Sequence, residues 1–348
     1  MKILKKIAHW ESWPFKLLYA PLVPFWAWNI LRSGWVWYFT PSNPKLTFGG
    51  MDGEPKKEMY DLLPTHLYPI TLNALPTQAF EAIMESIQQK GITFPLVVKP
   101  EIGCAGVLFR KIDQEEELRK YHQQIPVEYI IQQLITYPME VSVFYIRHPT
   151  ANNGVVTGFL HKIPLNVTGD GFHTLEQLVL LHQKASKRVR ALHSKHKDNW
   201  HRVLQSGENY MLSHAANHNR GAHFVDLKEH IDEKLVSIFD EISLKINDFF
   251  YGRYDILCTS IEDLKNGKNF SILEYNGCGA EPNHIYDTGY SLFAAYREIL
   301  KHWENLYIIS RYNRKQGITP WALWKGYRFR MASKAHFKML QKVDASIC

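Results

Sequence analysis

Between residues 50 and 296, short runs rich in β-branched and aromatic residues alternate with segments of helical periodicity. Such runs are typical of β-strands, and we predict strands at 94–100, 106–112, 129–133, 140–147 and 155–161. We expect the first part of this sheet to be largely antiparallel. Gly103 and Gly106 lie between the first two runs, where a glycine-bearing hairpin can bring its backbone close to a ligand.

Capping signals predict two helices in the same region. Thr174 and Gln177 form a capping box that begins a helix expected to continue to about Leu192. Asp226 is expected to cap a second helix that continues to about Phe249. In this second helix, apolar residues recur at spacings of three and four and predict one buried face: Ile231, Leu235, Ile238, Ile242, Ile246 and Phe249.

Basic and aromatic residues concentrate at the two ends of the chain. Residues 1–50 contain six Lys and Arg against one acidic residue, and residues 297–342 contain 11 against two, whereas residues 51–296 contain 24 against 30. Nine of the ten tryptophans lie in the same ends: Trp10, Trp13, Trp26, Trp28, Trp35, Trp37, Trp303, Trp321 and Trp324. We therefore divide the chain into an aromatic, basic N-terminal segment at 1–50, a body at 51–296 and a basic helical extension at 297–348.

The N-terminal segment suits a membrane interface, where tryptophan rings lie at headgroup depth and cations meet anionic lipid. A buried aromatic helix pair that covers the body is the alternative. The best apolar run, residues 17–31, contains Pro21, Pro24 and Asn29 and is shorter than the roughly 20 residues that a bilayer core requires, so we expect no simple spanning helix. Glu11, the tryptophans and the two prolines also argue against a cleaved signal peptide.

The composition of the 348 residues excludes several classes of function. Four cysteines without a CxxC pair indicate a reducing compartment, so we expect a cytoplasmic protein, peripheral at most on the inner face of the membrane. His214, His218 and His223 flank an Asn-Arg-Gly loop signal without a fourth ligand nearby, which argues against zinc there. The sequence contains no GxSxG pattern, so it does not indicate a nucleophilic triad. No nucleic-acid module accompanies the basic C-terminal residues, so we expect no nucleic-acid partner.

Two neighbouring strand patterns carry the most informative polar residues. Residues 252–258 read GRYDILC, and residues 270–277 read FSILEYNG after a polar Asn-Gly turn signal, so we expect an antiparallel pair. Alternate side chains of a strand share one face, which places Glu274 and Asn276 together and lets Asp255 join them from the neighbouring strand. Such hard oxygen ligands suit Mg²⁺ beneath nucleotide phosphates. Arg253 projects onto the same face, where a guanidinium stabilises charge on a transferred phosphoryl group or an oxyanion; a salt bridge on the sheet surface is the simpler alternative.

This arrangement resembles the ATP-grasp superfamily, in particular its D-alanine–D-alanine ligase-like, RimK-like and cyanophycin-synthetase-like branches. The resemblance covers residues from about 50 to 296, and its separated motifs occur in the family's order. It implies an α+β fold in which two α+β subdomains grip ATP. It also implies Mg²⁺, with Mn²⁺ as an alternative, on Asp255, Glu274 and Asn276, and Arg253 at the reacting phosphoryl or carbonyl oxygen.

Two upstream motifs of the resemblance concern the nucleotide phosphates. FPLVVKPEIGCAGV is similar to the family's second nucleotide-binding lysine followed by its flexible glycine-rich loop. This implies Lys99 on the α- and β-phosphates and backbone N–H groups of 102–106, including Gly103 and Gly106, over the nucleotide. GEPKKEMYDLLP resembles the segment that carries the family's earlier lysine, for which Lys56 fits better than Lys57; a surface lysine is the alternative.

Three further motifs concern the base, the sugar and the acceptor. YIIQQLITYPMEVSV resembles the family's adenine segment, which implies adenine contacts at Gln132 and Gln133 and ribose contacts at Glu140. Many members carry Glu where this chain has glutamine. HKIPLNVTGDGFHTLEQLV is similar to a stretch of the RimK-like and cyanophycin-like branches, which implies Lys162 at the γ-phosphate and a structural role for Asp170. NHNRGAHFVDL resembles the loop near the acceptor site, where Arg220 would bind a substrate carboxylate or phosphate.

The resemblance implies an ATP-dependent ligase that joins a carboxylate to an amine or thiol through an acyl phosphate. A phosphotransferase that stops at phosphoryl transfer, or a membrane-associated nucleotide-binding scaffold with little turnover, are the alternatives. Family members usually carry a Rossmann-like domain before the nucleotide-binding part, whereas only about 50 aromatic-rich residues precede Lys56 here. We therefore expect a substrate close to an anionic membrane surface rather than the family's usual small amino acids.

Overall fold

The computed structural model describes residues 10–103, 106–213, 216–246 and 248–346. Residues 104 and 105 of the predicted glycine-rich loop, and His214, lie outside these ranges. The strands are β1 (Thr71–Ala74), β2 (Leu96–Pro100), β3 (Arg110–Ile112), β4 (Tyr129–Gln133), β5 (Met139–Ile146), β6 (Val155–Ile163), β7 (Asn166–Thr168), β8 (Asn209–Met211), β9 (His223–Asp226), β10 (Tyr251–Cys258) and β11 (Phe270–Asn276). The α-helices are α1 (Phe15–Tyr19), α2 (Val23–Ser33), α3 (Lys56–Tyr60), α4 (Phe80–Gln89), α5 (Glu115–Gln124), α6 (Leu175–Leu181), α7 (Val189–Lys195), α8 (Glu233–Ile246), α9 (Ile261–Lys265), α10 (Leu292–Lys315) and α11 (Leu323–Ser346).

The body contains two antiparallel sheets, and helices pack on each, so the predicted α+β class is confirmed. The first sheet has the strand order β1–β4–β2–β3, and the second has the order β11–β10–β5–β6–β9. Helices α4 and α5 pack on the first sheet through residues such as Ile83 and Leu118. Helix α8 packs on the second sheet through Leu235, Phe239 and Ile242. Strands β7 and β8 form a small separate ribbon.

Both predicted helices differ from the structure at their ends. The capping box at Thr174 and Gln177 is present, but α6 ends at Leu181 and a 3₁₀ turn separates it from α7. The His182 ring nitrogen Nδ1 accepts the backbone N–H groups of Lys184 and Ala185, which diverts them from helical bonds. Asp226, in turn, ends strand β9 instead of capping a helix.

Asp232 caps helix α8, since its Oδ1 accepts the backbone N–H of Leu235 at 2.9 Å. The predicted apolar face of this helix is present, with Leu235, Ile242 and Ile246 buried.

The connection between β10 and β11 is longer than a tight Asn-Gly hairpin. It contains the short helix α9, which Ser260 caps through the backbone N–H of Asp263.

Strand β3 begins only at Arg110, later than the predicted position at 106. Gly106 and Leu108 have positive φ angles of 68° and 57°, so the backbone there is incompatible with a strand. Strands β2 and β3 nevertheless pair antiparallel, as expected for a glycine-bearing hairpin. Described residues of the loop between them, Gly103 and Gly106 among them, line a cleft together with residues of the second sheet.

Residues 10–50, the described part of the N-terminal segment, pack against the rest of the chain. Trp10 and Leu18 join a cluster with Ile285 and Ile299. The ring of Trp26 contacts the rings of Tyr38, Phe39 and Trp303. Among the described residues, no helix combines the length and the apolar character that crossing a bilayer needs.

The predicted helical extension consists of α10 and α11, and α11 touches both sheets' cores. Phe329 packs in the aromatic cluster that contains Phe48 and Trp321, beside the second sheet. Further along the helix, Leu340 is fully buried in the core of the first sheet. The carboxylate of Asp344 accepts the backbone N–H of Leu108 at 3.2 Å and pairs with Arg110 at 2.7 Å. Helix α11 therefore bridges the two halves of the body.

Replacing Leu340 with alanine should lower the free energy of unfolding by about 2–5 kcal/mol, because it leaves a cavity in the first sheet's core. The matched control is Lys338→Ala, an exposed position on the same helix, which should change that free energy by less than about 0.5 kcal/mol. Urea unfolding followed by circular dichroism measures both. Equal small effects would mean that α11 does not pack on the first sheet in solution.

Candidate active-site cleft

A cleft of about 480 Å³ is lined by residues from both sheets. The first sheet supplies Lys99 and Pro100 at the end of β2, together with Gly103 and Gly106 from the loop that follows. The second sheet supplies five charged residues and one amide from four strands: Glu140, Lys162, Arg253, Asp255, Glu274 and Asn276. The amino end of α3 adds Lys56. Ten of the residues predicted from sequence thus line one cavity.

Strands β10 and β11 bring the predicted metal-binding side chains together. Asp255 lies directly opposite Glu274 in the antiparallel ladder, and Arg253 lies opposite Asn276. The Asn276 side-chain amide donates to Asp255 Oδ2 at 3.2 Å, and Arg253 donates to both oxygens of the same carboxylate at 3.2 and 3.3 Å. The register shifts immediately after Asp255, an irregularity of the bulge type that often re-aims side chains at functional sites. The sequence did not reveal this shift.

Lys162 stands between two buried carboxylates. Its Nζ is 2.5 Å from Glu140 Oε1 and 3.4 Å from Asp255 Oδ1, and all three side chains are largely buried. Burial opposes ionisation of Asp255, but Arg253 and Lys162 outweigh it and lower the pKa of that carboxyl to about 2. Burial raises the pKa of Glu140, and Lys162 opposes this rise. The cluster is therefore an ionic network whose members depend on one another for charge compensation.

Two further lysines face this network from the first half of the body. Burial lowers the pKa of both Lys56 and Lys99, whereas the carboxylate of Glu274 raises it. Lys56 Nζ donates to the carbonyl oxygens of Glu101 and Gly103 at 3.3 and 3.1 Å, which holds it against the glycine-rich loop. The positive charges of these two ammonium groups are only partly balanced by carboxylates, and they lie beside the backbone of the glycine-rich loop. Such a site favours an anionic ligand such as a polyphosphate.

The donor set on β10 and β11 fits Mg²⁺. Asp255 and Glu274 provide two carboxylates, and the amide of Asn276 can offer its oxygen, because the two ends of an amide are assigned from hydrogen bonding alone. Magnesium is held by one or two carboxylates and completes its shell with water and phosphate oxygens. The cleft supplies both the carboxylates and the lysines that would neutralise the phosphates.

Three predicted site residues lie away from the cleft wall. The side-chain amide of Gln132 is buried and donates to the hydroxyls of Tyr60 and Thr71 at 2.9 and 2.7 Å. Gln133 is exposed, and its backbone N–H bonds to Ile70. Arg220 lies in a 3₁₀ turn. Burial lowers the pKa of Arg188, and the nearby charge of Arg220 lowers it further. The roles assigned to these three residues stay predictions.

Several cleft residues carry no motif and were missed by the sequence analysis. The carboxylate of Glu281 accepts hydrogen bonds from Tyr19 at 2.7 Å and from Tyr286 at 2.6 Å, and its backbone carbonyl accepts one from Arg253. Tyr19 belongs to the N-terminal segment, whose residues Glu11, Trp13, Phe15 and Leu18 also line the cleft. Glu54 lies in the motif GEPKKEMYDLLP, but the sequence analysis gave it no role; burial raises its pKa to about 7 at an adjoining cavity that shares Lys56 and Glu274 with the cleft. Contacts of such long sequence separation leave no local signal.

No protein-family model matches this sequence, and neither does any curated protein. Solved structures to which it is similar include a bifunctional glutathione synthetase from Pasteurella multocida (14% identity, TM-score 0.40, covering 72% of this chain and 36% of that one). A second is the VanG D-Ala:D-Ser ligase from Enterococcus faecalis (17% identity, TM-score 0.40, covering 75% of this chain and 62% of that one). A third is a D-alanine–D-alanine ligase from Coxiella burnetii (11% identity, TM-score 0.41, covering 82% of this chain and 64% of that one). The chain covers less than two thirds of each of these proteins. A likeness at this level carries no argument about activity, which must come from the cleft.

Replacing Lys162 with methionine should lower the free energy of unfolding by about 3 kcal/mol near pH 8, because Glu140 and Asp255 lose their shared cation. Loss of the cation raises the pKa of Glu140 further, so protonation removes the unpaired charge as the pH falls, and the deficit should shrink near pH 5. Urea unfolding at both pH values, without divalent cations, measures the difference.

The matched control is Lys111→Met, which breaks the exposed ion pair with Asp113. Exposed pairs contribute about 0–1 kcal/mol, so this variant should behave like the wild type at both pH values. A deficit for Lys162→Met that is no larger than that of the control, or that does not depend on pH, would contradict the ionic network.

Proposed function

We propose that this protein is an ATP-grasp ligase that uses ATP to join a carboxylate to an amine or a thiol. The observation that carries the proposal is the cleft in which the half-buried Lys56 and Lys99 face Asp255, Glu274 and Asn276 of the second sheet. Polyphosphate binding needs cations, and metal binding needs oxygen ligands. The two sets meet here across a space of about 480 Å³, which is within the range of small-molecule sites.

In this proposal the residues divide the work of binding and charge stabilisation. Lys56 and Lys99 bind phosphate oxygens, and the backbone around Gly103 and Gly106 covers them. Asp255, Glu274 and Asn276 hold Mg²⁺, which would neutralise phosphate charge when bound. Arg253 and Lys162 lie on the same wall, where they stabilise charge that develops on the transferred phosphoryl group and on the acyl oxygen.

The proposed ligation proceeds in two steps and needs no oxidant or reductant. A carboxylate oxygen of the first substrate attacks the γ-phosphorus, and the bond from that phosphorus to the bridging oxygen breaks to release ADP. The acyl phosphate is then attacked at its carbonyl carbon by the amine or thiol, which loses a proton, and phosphate leaves. Positioning the two substrates and stabilising negative charge are what the cleft contributes.

A phosphotransferase would use the same lysines and the same carboxylates. It would leave ADP and a stable phosphoester, whereas a ligase releases ADP and phosphate together with a new amide or thioester. Glu281 favours the ligase, because its carboxylate, held by Tyr19 and Tyr286 beside Arg253, can orient an attacking amine by accepting an N–H hydrogen bond from it. Mass spectrometry of products from pooled carboxylates and amines separates the two reactions.

The double variant Asp255→Asn/Glu274→Gln should lose Mg²⁺-dependent ATP turnover by at least about 100-fold, because metal stabilisation of phosphoryl transfer amounts to several kcal/mol. The assay follows ADP release with the acceptor pool, and circular dichroism verifies folding. Glu241→Gln, which removes an exposed carboxylate on α8, is the control and should keep the wild-type rate. Unchanged turnover in the double variant would refute the metal assignment.

We also propose that the substrate is presented at an anionic membrane surface, on the inner face of the cytoplasmic membrane. The N-terminal segment lines the cleft with Phe15 and Leu18, and it exposes Leu31 and Trp28 to 74% and 56%. Exposed apolar positions recur at helical spacing through α2. Helix α2 and the basic helix α11 also contribute to one aromatic cluster, through Trp26 and Phe329. An acyl or lipid-linked substrate would fit a cleft with one apolar wall.

Full-length protein should float with vesicles that contain phosphatidylglycerol, and Trp28→Ser/Leu31→Ser should weaken that binding at least about tenfold, since each exposed side chain is worth on the order of 1–2 kcal/mol when buried in lipid. Phe172→Ser is the control, because Phe172 is exposed but lies outside the N-terminal segment. Wild-type protein that never floats, or a double variant that floats as well as the wild type, would rule out the membrane surface.

A further inference from the structure

Two histidines and a glutamate form a buried cluster that the proposed reaction does not use. Glu298 and His302 are one helical turn apart on α10, and His284 comes from the 3₁₀ turn at Asn283–Ile285. One ligand atom from each residue lies within 4.8 Å of the other two. His302 is fully buried, His284 is 4% exposed, and the Glu298 side chain is 16% exposed.

Three of the four ring nitrogens in the two imidazoles lack a hydrogen bond of good geometry. Both ring nitrogens of His284 and the Nε2 atom of His302 are buried without a hydrogen-bond partner. Buried polar atoms almost always have partners, and leaving one without a partner costs about 1–3 kcal/mol. Two of these atoms, the Nε2 atoms of His284 and His302, lie 3.4 and 3.2 Å from the same Glu298 oxygen, and a bound cation would provide both with a partner.

The distances match those of a tetrahedral zinc site. Glu298 Oε1 is 3.4 Å from His284 Nε2 and 3.2 Å from His302 Nε2. Ligand atoms that lie about 2.0–2.1 Å from a tetrahedral Zn²⁺ are about 3.3 Å from one another. Oxygen and imidazole nitrogen are zinc ligands, and a water molecule completes sites that have three protein ligands.

The surroundings hold the rings in place for such a site. His302 Nδ1 is 3.3 Å from the hydroxyl of Tyr251, and a metal-binding histidine usually makes this kind of contact through its other nitrogen. On strand β6, Gly158 leaves the space that His284 occupies, because a Cβ at position 158 would lie 2.1 Å from the ring. A glycine inside a strand often marks a close approach of this kind.

We propose that His284, Glu298 and His302 bind a Zn²⁺ ion that takes water as its fourth ligand. The ion would fasten the segment after β11 to helix α10 and strand β6. That segment brings Glu281, Asn283 and Tyr286 to the cleft on either side of His284. Zinc would therefore hold one wall of the cleft in position, and it would be separate from the Mg²⁺ at Asp255 and Glu274.

The test uses full-length protein that is stripped with a chelator, dialysed against Zn²⁺ in the presence of excess Mg²⁺, and analysed for metal content. One zinc per chain is expected, together with a rise in Tm on zinc addition. Glu298→Gln and His302→Gln should each weaken zinc binding by at least about 100-fold, since even the loss of a residue that only supports a ligand costs 10–100-fold. His173→Gln, at the exposed His173–Asp170 pair, should bind as the wild type does.

Two further measurements separate this site from the cleft and from misfolding. Asp255→Asn/Glu274→Gln should retain the zinc, because its carboxylates belong to the magnesium site. Co²⁺ bound to the wild type should give the visible absorption of tetrahedral nitrogen and oxygen ligation, which needs no variant to fold. Wild-type protein with less than half an equivalent of zinc, equal binding by Glu298→Gln, or zinc lost only from the cleft variant would each overturn the proposal.

Discussion

The charge compensation of Asp255 is the constraint around which the cleft is organised. A carboxylate that is 6% exposed needs cations, and Lys162 and Arg253 supply them from strands β6 and β10. The antiparallel ladder β11–β10–β5–β6 sets the distances among these groups. Asp255 pairs with Glu274 on β11 and with Ser142 on β5, and Glu140 lies two residues from Ser142, on the face where Lys162 meets both carboxylates. Register in this sheet is therefore a chemical requirement as well as a packing requirement, since a slip by one residue would turn the charged side chains to the opposite face.

The two chain ends complete the cleft that the sheets begin. Tyr19 reaches across from the N-terminal segment to bind Glu281, and α11 contacts the glycine-rich loop, where His336 bonds to the carbonyl of Ile102 at 2.9 Å. The aromatic residues at both ends meet in shared clusters, as the contact between Trp26 and Trp303 illustrates. The uneven composition that divides the sequence into three parts thus reflects one packed unit around the body.

Local signals predicted the parts of the site whose chemistry depends on neighbours in sequence. Asp255 and Glu274 lie on strands with clear β patterns, and their pairing followed from strand alternation. Glu281 could not be found in this way, because its partner Tyr19 is 262 positions distant. The end of α6 and the start of α8 were predicted at the wrong residues for a related reason. The side chains of His182 and Asp232 accept backbone N–H groups there, and the sequence pattern does not specify the geometry of these contacts.

Helix α11 has a mechanical consequence for the cleft. Its 24 residues form a rod about 36 Å long, with Phe329 anchored beside one sheet and Leu340 in the core of the other. The two sheets can rotate about this helix, but they cannot separate unless the helix bends or Phe329 or Leu340 leaves its buried position. Widening the cleft between the sheets would therefore expose Phe329 or Leu340 to solvent. Ligands of ordinary size would enter and leave along the cleft, without a hinge motion that separates the sheets.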